Sequence, residues 1–510
     1  MGILVTDYLE ESYRKFPDKI AFSDDKKSVT FAELREESMK IATYFAEQNT
    51  FKKPVVIFLD KGVDVLVSFM GTLYSGNFYT PIDPQMPEER VQKIVETLSP
   101  EYIITSKTYA ENLKSRYKEK KILDLEEILA HPSHEELVLR CVSKIIDTDI
   151  VYVLFTSGST GIPKGAIVSH RAVITYIEWV SRAFAIDEKA IIGNQTPFYF
   201  SMSVFDIFVT LRNACTTHII PHSLFSKPTE LIEYINQKNV NLIYWVPSVL
   251  MQVANTRVFD TVKAHNLEKV LFAGEVMPTK QLNYWIRSLN KDIIYANLFG
   301  PTEVTDICTY YVVDRELRDD ESLPIGKACN NTDVIVLSGE NRLIEETSVD
   351  VEGELCVRGS SLAYGYYNNK EKTEEAFVQN PINKEYREII YRTGDLVKYN
   401  ADGELIYIGR KDFQIKVSGY RIELGEIETA ISAIPQIESS CCLFDDAEKR
   451  IICVYKGEIE KSALRRELKK SLLRYMMPHQ YIKLDDMPLN DNGKINRKEL
   501  IKLYANTNMV

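Results

Sequence analysis

Residues 154–165 read Leu-Phe-Thr-Ser-Gly-Ser-Thr-Gly-Ile-Pro-Lys-Gly, and an apolar run, Ile-Val-Tyr-Val-Leu-Phe, leads into them at 150–155. The apolar run predicts a buried strand. The stretch after it combines glycines, hydroxyl side chains and Lys164. Glycines allow backbone N–H groups to turn toward an anion, and hydroxyls and a lysine add donors and charge. We therefore predict a phosphate-binding loop, although not a Walker loop, because the G-x-x-x-x-G-K-[ST] spacing is absent.

The overall composition limits the class of protein. The chain has 510 residues, a formal net charge of −11 and 45% hydrophobic residues, which predicts a globular protein of two or more domains. The acidic balance argues against nucleic acid as the main partner. The cysteines form no C-x-x-C pair and the histidines no ligand cluster, so neither a disulfide framework nor a zinc site is expected. Without an apolar run of about 18 residues or a signal peptide, we expect a cytoplasmic protein with no membrane span.

Strand and helix patterns alternate through most of the chain before residue 324. Apolar strands at 54–59, 102–105 and 269–273 alternate along the chain with helices, among them 31–47. This alternation predicts an α/β fold with doubly wound, mostly parallel sheets. Residues 123–149 are charged and poor in aromatic residues, and we interpret them as a surface excursion.

From about residue 324 the pattern changes to short strands separated by turn residues. We predict a large domain at 1–410, which includes a β-rich subdomain at about 324–410, and a small mobile α+β domain at 411–510. Residues 461–502 are rich in lysine and arginine. This fits either a solvated helix face or a docking surface for an acidic partner.

Four later stretches complete a set of motifs with the phosphate loop. They read Asn297-Leu-Phe-Gly-Pro-Thr-Glu303, Tyr391-Arg-Thr-Gly-Asp395, Gly409-Arg-Lys-Asp-Phe-Gln-Ile-Lys-Val-Ser-Gly-Tyr-Arg-Ile-Glu423 and Asn492-Gly-Lys-Ile-Asn-Arg497. In this order, the five motifs resemble those of the adenylate-forming superfamily. Its members include acyl-CoA synthetases, luciferases, adenylation domains of nonribosomal peptide synthetases and D-alanine–carrier protein ligases. The residues of the motifs are most similar to those of the last two groups. The resemblance covers nearly the whole chain and implies an AMP-forming acid–thiol ligase that uses ATP and Mg²⁺.

The resemblance also implies roles for residues in the motifs. Phe299 would stack on adenine, Thr302 would contact the α-phosphate and Glu303 would bind Mg²⁺. Asp395 would accept hydrogen bonds from the ribose hydroxyls. The implied nucleotide-binding residues are Thr156, Ser157, Gly158, Ser159, Thr160, Gly161, Lys164, Gly274, Glu275, Asn297, Phe299, Asp395, Tyr407 and Arg410.

By the same resemblance Lys494 is the catalytic lysine, acting with Thr302 and Glu303. A compact ammonium group can contact carboxylate and phosphate oxygens together. In a second step the small domain would rotate about Asp412. The loop at Gly419 would then replace Lys494 and line a channel for a thiol.

The implied acid-binding pocket departs from the pattern of amino-acid-activating members. In those enzymes a Phe-Asp pair supplies a carboxylate for the α-ammonium group, whereas the matching position here is Ser201. A neutral serine cannot offset a buried ammonium charge, so an ordinary α-amino acid, D-alanine included, is not expected. The implied pocket residues are Ser201, Met202, Phe205, Tyr244, Leu271, Ala273, Leu298, Asp306 and Ile307.

Asp306 is the carboxylate among these pocket positions, and a buried carboxylate needs a hydrogen-bond donor. An N–H or O–H at the far end of the substrate would supply it. This favours an aryl acid with a distal hydroxyl or amine, or a β- or ω-amino acid. The alternative is that Asp306 bonds to local backbone and does not contact the substrate.

The thiol acceptor is expected to come from outside this chain, because no Leu-Gly-Gly-x-Ser carrier site follows the last motif. It would be a separate phosphopantetheinyl carrier protein or free coenzyme A, and the basic C-terminal region favours an acidic carrier protein. The alternatives are a D-alanine-type ligase for a small α-amino acid, an acyl-CoA ligase, and a catalytically silent carrier-binding scaffold. The presence of Lys164, Glu303, Asp395 and Lys494 disfavours the scaffold.

Overall fold

The computed structural model describes residues 3–158, 161–446, 448–488 and 495–507. Its α-helices are Val5–Lys15 (α1), Phe31–Glu47 (α2), Val63–Tyr74 (α3), Glu88–Leu98 (α4), Lys107–Arg116 (α5), Leu125–Leu129 (α6), Glu135–Val142 (α7), His170–Ala183 (α8), Ser203–Asn213 (α9), Pro228–Gln237 (α10), Pro247–Asn255 (α11), Thr279–Ser288 (α12), Lys370–Ala376 (α13), Leu424–Ser432 (α14), Lys461–Leu468 (α15) and Arg497–Thr507 (α16). Short 3₁₀ helices are His222–Ser226, Val258–Asp260, Thr302–Val304 and Arg474–Met476.

The strands are Ile20–Ser23 (β1), Ser28–Thr30 (β2), Pro54–Phe58 (β3), Phe78–Ile82 (β4), Tyr102–Thr105 (β5), Lys121–Asp124 (β6), Ile150–Thr156 (β7), Lys164–Ser169 (β8), Ile191–Asn194 (β9), Thr216–Ile219 (β10), Leu242–Trp245 (β11), Lys269–Ala273 (β12), Ile294–Phe299 (β13), Thr309–Val312 (β14), Lys327–Ala328 (β15), Thr332–Leu337 (β16), Gly353–Gly359 (β17), Phe377–Gln379 (β18), Ile389–Tyr399 (β19), Leu405–Arg410 (β20), Gln414–Val417 (β21), Tyr420–Glu423 (β22), Ile437–Asp445 (β23), Arg450–Gly457 (β24) and Gln480–Lys483 (β25).

Two mostly parallel sheets carry the α/β part of the fold. Across the described residues one sheet has nine strands in the order β15-β14-β13-β12-β11-β9-β10-β1-β2, and another has six in the order β6-β5-β3-β4-β7-β8. Strands β3, β4 and β5 pair in parallel, as do β9, β11, β12 and β13. Helices follow most of these strands in sequence, as parallel connections require. The predicted α/β class with doubly wound sheets is confirmed.

The β-rich part that was predicted after residue 324 is an antiparallel sheet. Strands β16, β17, β19 and β18 lie in that order, and β20 pairs with β19. Its own apolar cluster includes Val336, Leu355, Val397 and Leu405. Alternating burial along β19 gives one packed face and one more exposed face, the usual pattern of an antiparallel sheet.

The chain forms two compact units. The first comprises residues 1–84, 98–155 and 165–411, and the second comprises 85–97, 156–164 and 412–510. The long C-terminal part of the second unit therefore begins at Asp412. Two segments from earlier in the sequence, α4 and the phosphate loop, also belong to the second unit.

Local sequence explains why these elements form where they do. Helix α2 begins with a capping box: the Thr30 hydroxyl accepts from Glu33 N–H at 3.2 Å, and Thr30 N–H donates to the Glu33 carboxylate at 2.8 Å. Strand β7 is a β-branched and aromatic run whose central residues are buried. The core of the first unit is a continuous apolar cluster that includes Trp245 and Trp285.

The interpretation of residues 123–149 as a surface excursion is wrong. This region contains the end of β6 and the helices α6 and α7. Leu125, Ile128 and Val138 are buried in the main core of the first unit. The charged residues occupy only the outer faces of these short helices, so a high overall charge hides a narrow apolar stripe.

Within the described residues, every helix is too short or too polar to span a bilayer.

Candidate active site

The site is built on one edge of the nine-stranded sheet. Strands β9, β11, β12 and β13 run in the same direction, so their carboxyl ends meet at this edge, where ligands bind in open α/β sheets. The segments that leave this edge are residues 195–202, 274–275 and 300–307. These segments contain many of the predicted site residues, among them Ser201, Glu275 and Glu303.

Strand register brings the predicted pocket residues together. Tyr244 on β11 lies beside Leu271 on β12, and Ala273 lies beside Leu298 on β13. The ring of Phe205, on α9, is 4.8 Å from the ring of Tyr244. All nine predicted pocket residues are buried, and most are apolar: Ser201, Met202, Phe205, Tyr244, Leu271, Ala273, Leu298, Asp306 and Ile307.

A tight turn after β13 returns the chain toward the pocket. A Cβ atom at Gly300 would lie 2.3 Å from the Asp306 carbonyl oxygen, so only glycine permits this approach. Thr305 and Asp306 both have positive φ, at 57° and 87°. Such φ values are unfavourable for residues with a side chain and persist only where surrounding contacts hold them.

The Asp306 carboxylate is buried among three hydroxyl groups. Its Oδ2 accepts from the Tyr176 and Tyr244 hydroxyls at 2.9 and 3.0 Å, and its Oδ1 accepts from the Ser201 hydroxyl at 3.1 Å. Burial, reinforced by the neighbouring Asp306 charge, raises the pKa of both phenols well above its ordinary value. Both tyrosines therefore stay protonated and act as donors.

The structure thus joins the two unusual pocket positions. Ser201, the position at which the resemblance implies an aspartate in amino-acid-activating enzymes, is hydrogen-bonded to the carboxylate of Asp306. The Thr302 hydroxyl in turn donates to Ser201 Oγ at 3.3 Å. The donors to Asp306 include the side-chain hydroxyls of Tyr176, Tyr244 and Ser201. Its hydrogen bonds are therefore not confined to the local backbone. Sequence reasoning missed Tyr176, because it lies on α8, outside every motif, and only the fold brings it to the pocket.

Glu303 is a fully buried carboxylate at the same edge. It accepts from the Tyr366 hydroxyl at 2.7 Å, and its carbonyl accepts from Ala363 N–H. Among the residues that the structure describes, no cluster of three His, Cys, Asp or Glu side chains could hold a metal ion by itself. A single carboxylate nevertheless suits Mg²⁺, which commonly takes one or two carboxylates and completes its shell with substrate phosphates and water.

Four of the predicted nucleotide-binding residues in the first unit form two pairs. The rings of Phe299 and Tyr407 lie 5.9 Å apart at an angle of 42°. Arg410 donates to the Asp395 carboxylate at 2.9 Å and to the Thr393 carbonyl at the same distance. The pairing of β19 with β20 places Asp395 directly opposite Arg410.

Three further predicted residues have clear structural contacts. The Asn297 amide donates to the Pro324 carbonyl at 2.7 Å. The Glu275 carboxylate accepts from Ser248 N–H at 3.0 Å and so caps α11. Gly274 has a φ of 94°, a left-handed conformation that favours glycine where the chain leaves β12.

The described residues of the phosphate loop belong to the second unit and have partners there. The Ser157 hydroxyl donates to the Arg421 carbonyl at 2.9 Å, and Gly158 N–H donates to the Glu426 carboxylate at 3.3 Å. Lys164 Nζ lies 3.8 Å from the Glu423 carboxylate. Donors expected to bind phosphate are thus engaged with a carbonyl and two carboxylates, which a triphosphate would have to displace.

Two further hydrogen bonds hold the loop itself. Lys93, on α4, donates to the Gly161 carbonyl at 2.8 Å, and the Thr156 hydroxyl donates to the Lys164 carbonyl at 3.4 Å. Ser159 and Thr160 lie outside the described residues.

The remaining predictions fall on the C-terminal part of the second unit. The Asp412 carboxylate accepts from Gln414 N–H at 3.2 Å. Gly419 and Ser418 have φ values of 79° and 51° in the turn between β21 and β22, which is the pattern of a type I′ hairpin turn. Lys494, the predicted catalytic lysine, lies outside the described residues.

The family match, a curated relative and two solved structures all indicate similarity to AMP-binding and adenylation proteins. Residues 9–367 match the family of AMP-binding enzymes. Zwittermicin A synthase ZmaJ of Bacillus cereus is 32% identical over 99% of this chain and 95% of its own length. The solved structure of holo-PA1221, which contains adenylation and PCP domains, aligns with a TM-score of 0.83 at 23% identity, over 98% of this chain and 84% of that chain. The adenylation domain AlmE of Vibrio cholerae, solved with glycyl-adenosine-5′-phosphate, has the same TM-score at 21% identity, over 99% and 98% of the two chains.

Proposed function

This chain belongs to the AMP-binding enzyme family and is an adenylate-forming ligase, and we propose that it activates an acid with a hydrogen-bond donor distant from its carboxylate, then loads it onto a separate carrier protein. The proposed substrates are an aryl acid with a distal hydroxyl or amine, or a β- or ω-amino acid. The observation that carries this choice is the buried Asp306 carboxylate, bonded to Ser201 at the position where an α-ammonium group would meet an aspartate.

In the first step a substrate carboxylate oxygen attacks the α-phosphorus of ATP, the bond to the β-phosphate oxygen breaks, and pyrophosphate leaves. Catalysis of this step depends on positioning and on stabilising charge at the phosphoryl oxygens. Lys494 would contact the substrate carboxylate and the nucleotide, and the Thr302 hydroxyl would donate to the α-phosphate. Glu303 would hold Mg²⁺, which when bound neutralises charge on the phosphates.

The proposed recognition of the acid substrate depends on the negative charge of the Asp306 carboxylate. A carboxylate accepts hydrogen bonds through both of its oxygens, and we propose that a substrate N–H or O–H donates to Asp306. An ammonium group would gain more than a neutral donor, because charge-assisted hydrogen bonds are the stronger kind. Asp306 Oδ1 lies 3.1 Å from Ser201 Oγ, so the ammonium group of a small α-amino acid bound in a shifted pose would meet this carboxylate instead. Such an amino acid is the second candidate.

In the second step we propose that a phosphopantetheine thiol attacks the acyl carbonyl carbon, forming a thioester and releasing AMP. The basic region at 461–502 and the presence of a PCP domain in PA1221 support a carrier protein as the source of the thiol. The free cysteines of the chain suit the reducing cytoplasm, which is the proposed location.

Acid-dependent ATP–pyrophosphate exchange against a panel of acids tests the substrate. We expect strong exchange with 4-hydroxy- or 4-aminobenzoate, or with β-amino acids. Strong exchange with D-alanine alone would refute the substrate proposal. A second assay offers the preferred acid with free coenzyme A or with a phosphopantetheinylated carrier protein, and rapid thioester formation on coenzyme A would remove the carrier proposal.

A further inference from the structure

A partly buried polar cluster lies beside the pocket and belongs to none of the motifs. Lys61 follows β3, and its Nζ donates to the Gln195 carbonyl at 3.0 Å. The same ammonium group lies 5.5 Å from the centre of the Phe198 ring, within the range of a cation–π interaction. Lys61 therefore contacts two residues of the segment 195–202, which connects β9 to α9.

An acid completes the cluster. Asp206 on α9 is buried and its Oδ2 accepts from the Asn194 amide at 2.6 Å, while within the described chain its Oδ1 has no hydrogen-bond partner. The Asp206 charge attracts Lys61, although burial still lowers the pKa of the lysine to about 7 and raises the pKa of Asp206 to about 7. Asp206 is thus linked to Lys61 by charge, while the direct contacts of Lys61 are with the Gln195 carbonyl and the Phe198 ring.

The segment that Lys61 contacts carries part of the pocket wall. Successive backbone hydrogen bonds, from Phe200 N to Pro197 O and from Ser203 N to Phe200 O, both 3.1 Å, make it a compact series of turns. Its far end carries Ser201, which donates to Asp306, and Met202. One end of the segment is thus held by Lys61 and the other by Asp306, so a shift at either end changes where the pocket wall lies.

We propose that Lys61 is a positioning residue for the acid substrate: it fixes the segment 195–202 and so sets where Ser201 and Met202 meet the substrate. This inference rests on the proposed function, in which those two residues line the acid pocket. The contacts of Lys61 lie in the segment that carries the predicted acid-pocket residues Ser201 and Met202, so we expect it to act as a positioning residue on the binding of the acid rather than of ATP.

The test compares Lys61→Met with a matched control. Lys19 is another partly buried lysine of the first unit, and it donates to the Ala214 carbonyl at 2.6 Å, remote from the motifs in sequence. We expect Lys61→Met to raise the KM for the preferred acid roughly tenfold, as the loss of a charged hydrogen bond does elsewhere. The KM for ATP should stay unchanged, Lys61→Arg should recover most of the affinity, and Lys19→Met should leave both KM values unaltered.

Two results would overturn the proposal. One is an equal rise in the KM for ATP and for the acid. The other is a drop in melting temperature with both KM values intact, which would make Lys61 only a structural residue.

Hydrogen exchange separates this proposal from the proposed function. If none of the acids supports ATP–pyrophosphate exchange by the wild type, the proposed function fails. Amide hydrogen exchange over residues 195–202 still decides whether Lys61 positions that segment. Lys61→Met should accelerate exchange in that segment, whereas Lys19→Met should not. Equal exchange in the wild type and in Lys61→Met would contradict the claim.

Discussion

At the scale of single residues, Asp306 gives the pocket its chemistry. Its position in a left-handed turn, with three hydroxyl donors, is a costly arrangement for a buried carboxylate. The sequence predicted a largely apolar pocket with this one carboxylate, because the motif spacing fixes the alignment. It did not predict Tyr176 or the bond to Ser201, because those contacts join residues 130 and 105 positions apart.

Replacing Asp306 with asparagine tests whether this carboxylate binds the distal donor of the substrate. The change keeps the volume but removes the charge, so we expect kcat/KM for the preferred acid to fall on the order of 10²-fold. Acids without a distal donor should lose little. Tyr176→Phe is the matched control, since it removes one protein donor and leaves the carboxylate in place. An equal loss for every acid in Asp306→Asn would point to structural damage.

A second residue-scale prediction concerns Glu303. Glu303→Gln retains a hydrogen-bond acceptor for the Tyr366 hydroxyl but removes the negative charge proposed for Mg²⁺. We expect the Mg²⁺ concentration needed for half-maximal pyrophosphate exchange to rise and the rate at saturating Mg²⁺ to fall about 10²-fold. Tyr366→Phe should change the Mg²⁺ requirement far less. An unchanged Mg²⁺ requirement in Glu303→Gln would remove this residue from the proposed metal site.

At the scale of elements, the sequence was most informative where the hydrophobic period was regular. Helix α2 occupies the predicted residues because its capping box and apolar stripe agree, and β5 and β12 lie where apolar runs are flanked by polar residues. Helices α6 and α7 were missed because they are short and highly charged. The contacts of the phosphate loop with Arg421 and Glu426 could not be predicted at all, since no local pattern encodes a pairing over more than 260 residues.

The ion pair between α4 and α14 gives a prediction about stability. Arg90 and Glu426 are both buried, 2.5 Å apart, and Glu426 also accepts from Gly158. Removing one partner leaves a buried charge unpaired, which typically costs about 3–5 kcal/mol. We expect Glu426→Leu to accelerate hydrogen exchange in α14 by at least about 10²-fold for that reason.

The double variant Arg90→Met with Glu426→Leu serves as the control, because two apolar side chains leave no buried charge. Exchange in α14 should return close to the wild-type rate. If the double variant exchanged as fast as the single one, the effect would come from lost packing and not from the orphaned charge.

At the scale of the whole molecule, stability depends on pH through a buried histidine. His170 begins α8, and its Nδ1 accepts from Val5 N–H of α1 at 3.1 Å. Burial lowers the pKa of His170 from 6.5 to about 4. Because the unfolded chain binds this proton between those two values and the folded chain does not, the free energy of unfolding should fall as pH drops from 6.5 to 4, by up to about 3 kcal/mol.

Tryptophan fluorescence during chemical unfolding measures this effect in the first unit, where Trp179, Trp245 and Trp285 are buried. His170→Gln should flatten the pH dependence below 6.5, and the exposed His222→Gln should leave it as in the wild type. His218, whose pKa burial also lowers to about 4, should contribute to the slope that remains. An undiminished slope in His170→Gln would contradict the assignment.

The claim on which the whole account depends is that this ligase makes the adenylate of a donor-bearing acid through Lys494. Mass spectrometry of a single turnover, with ATP, Mg²⁺ and an acid mixture but no thiol, tests it most directly. We predict one bound acyl-adenylate whose acid carries a distal hydroxyl or amine, and a yield reduced about 10²–10³-fold in Lys494→Ala. An adenylate of an acid without such a donor, or an undiminished yield in Lys494→Ala, would contradict the account.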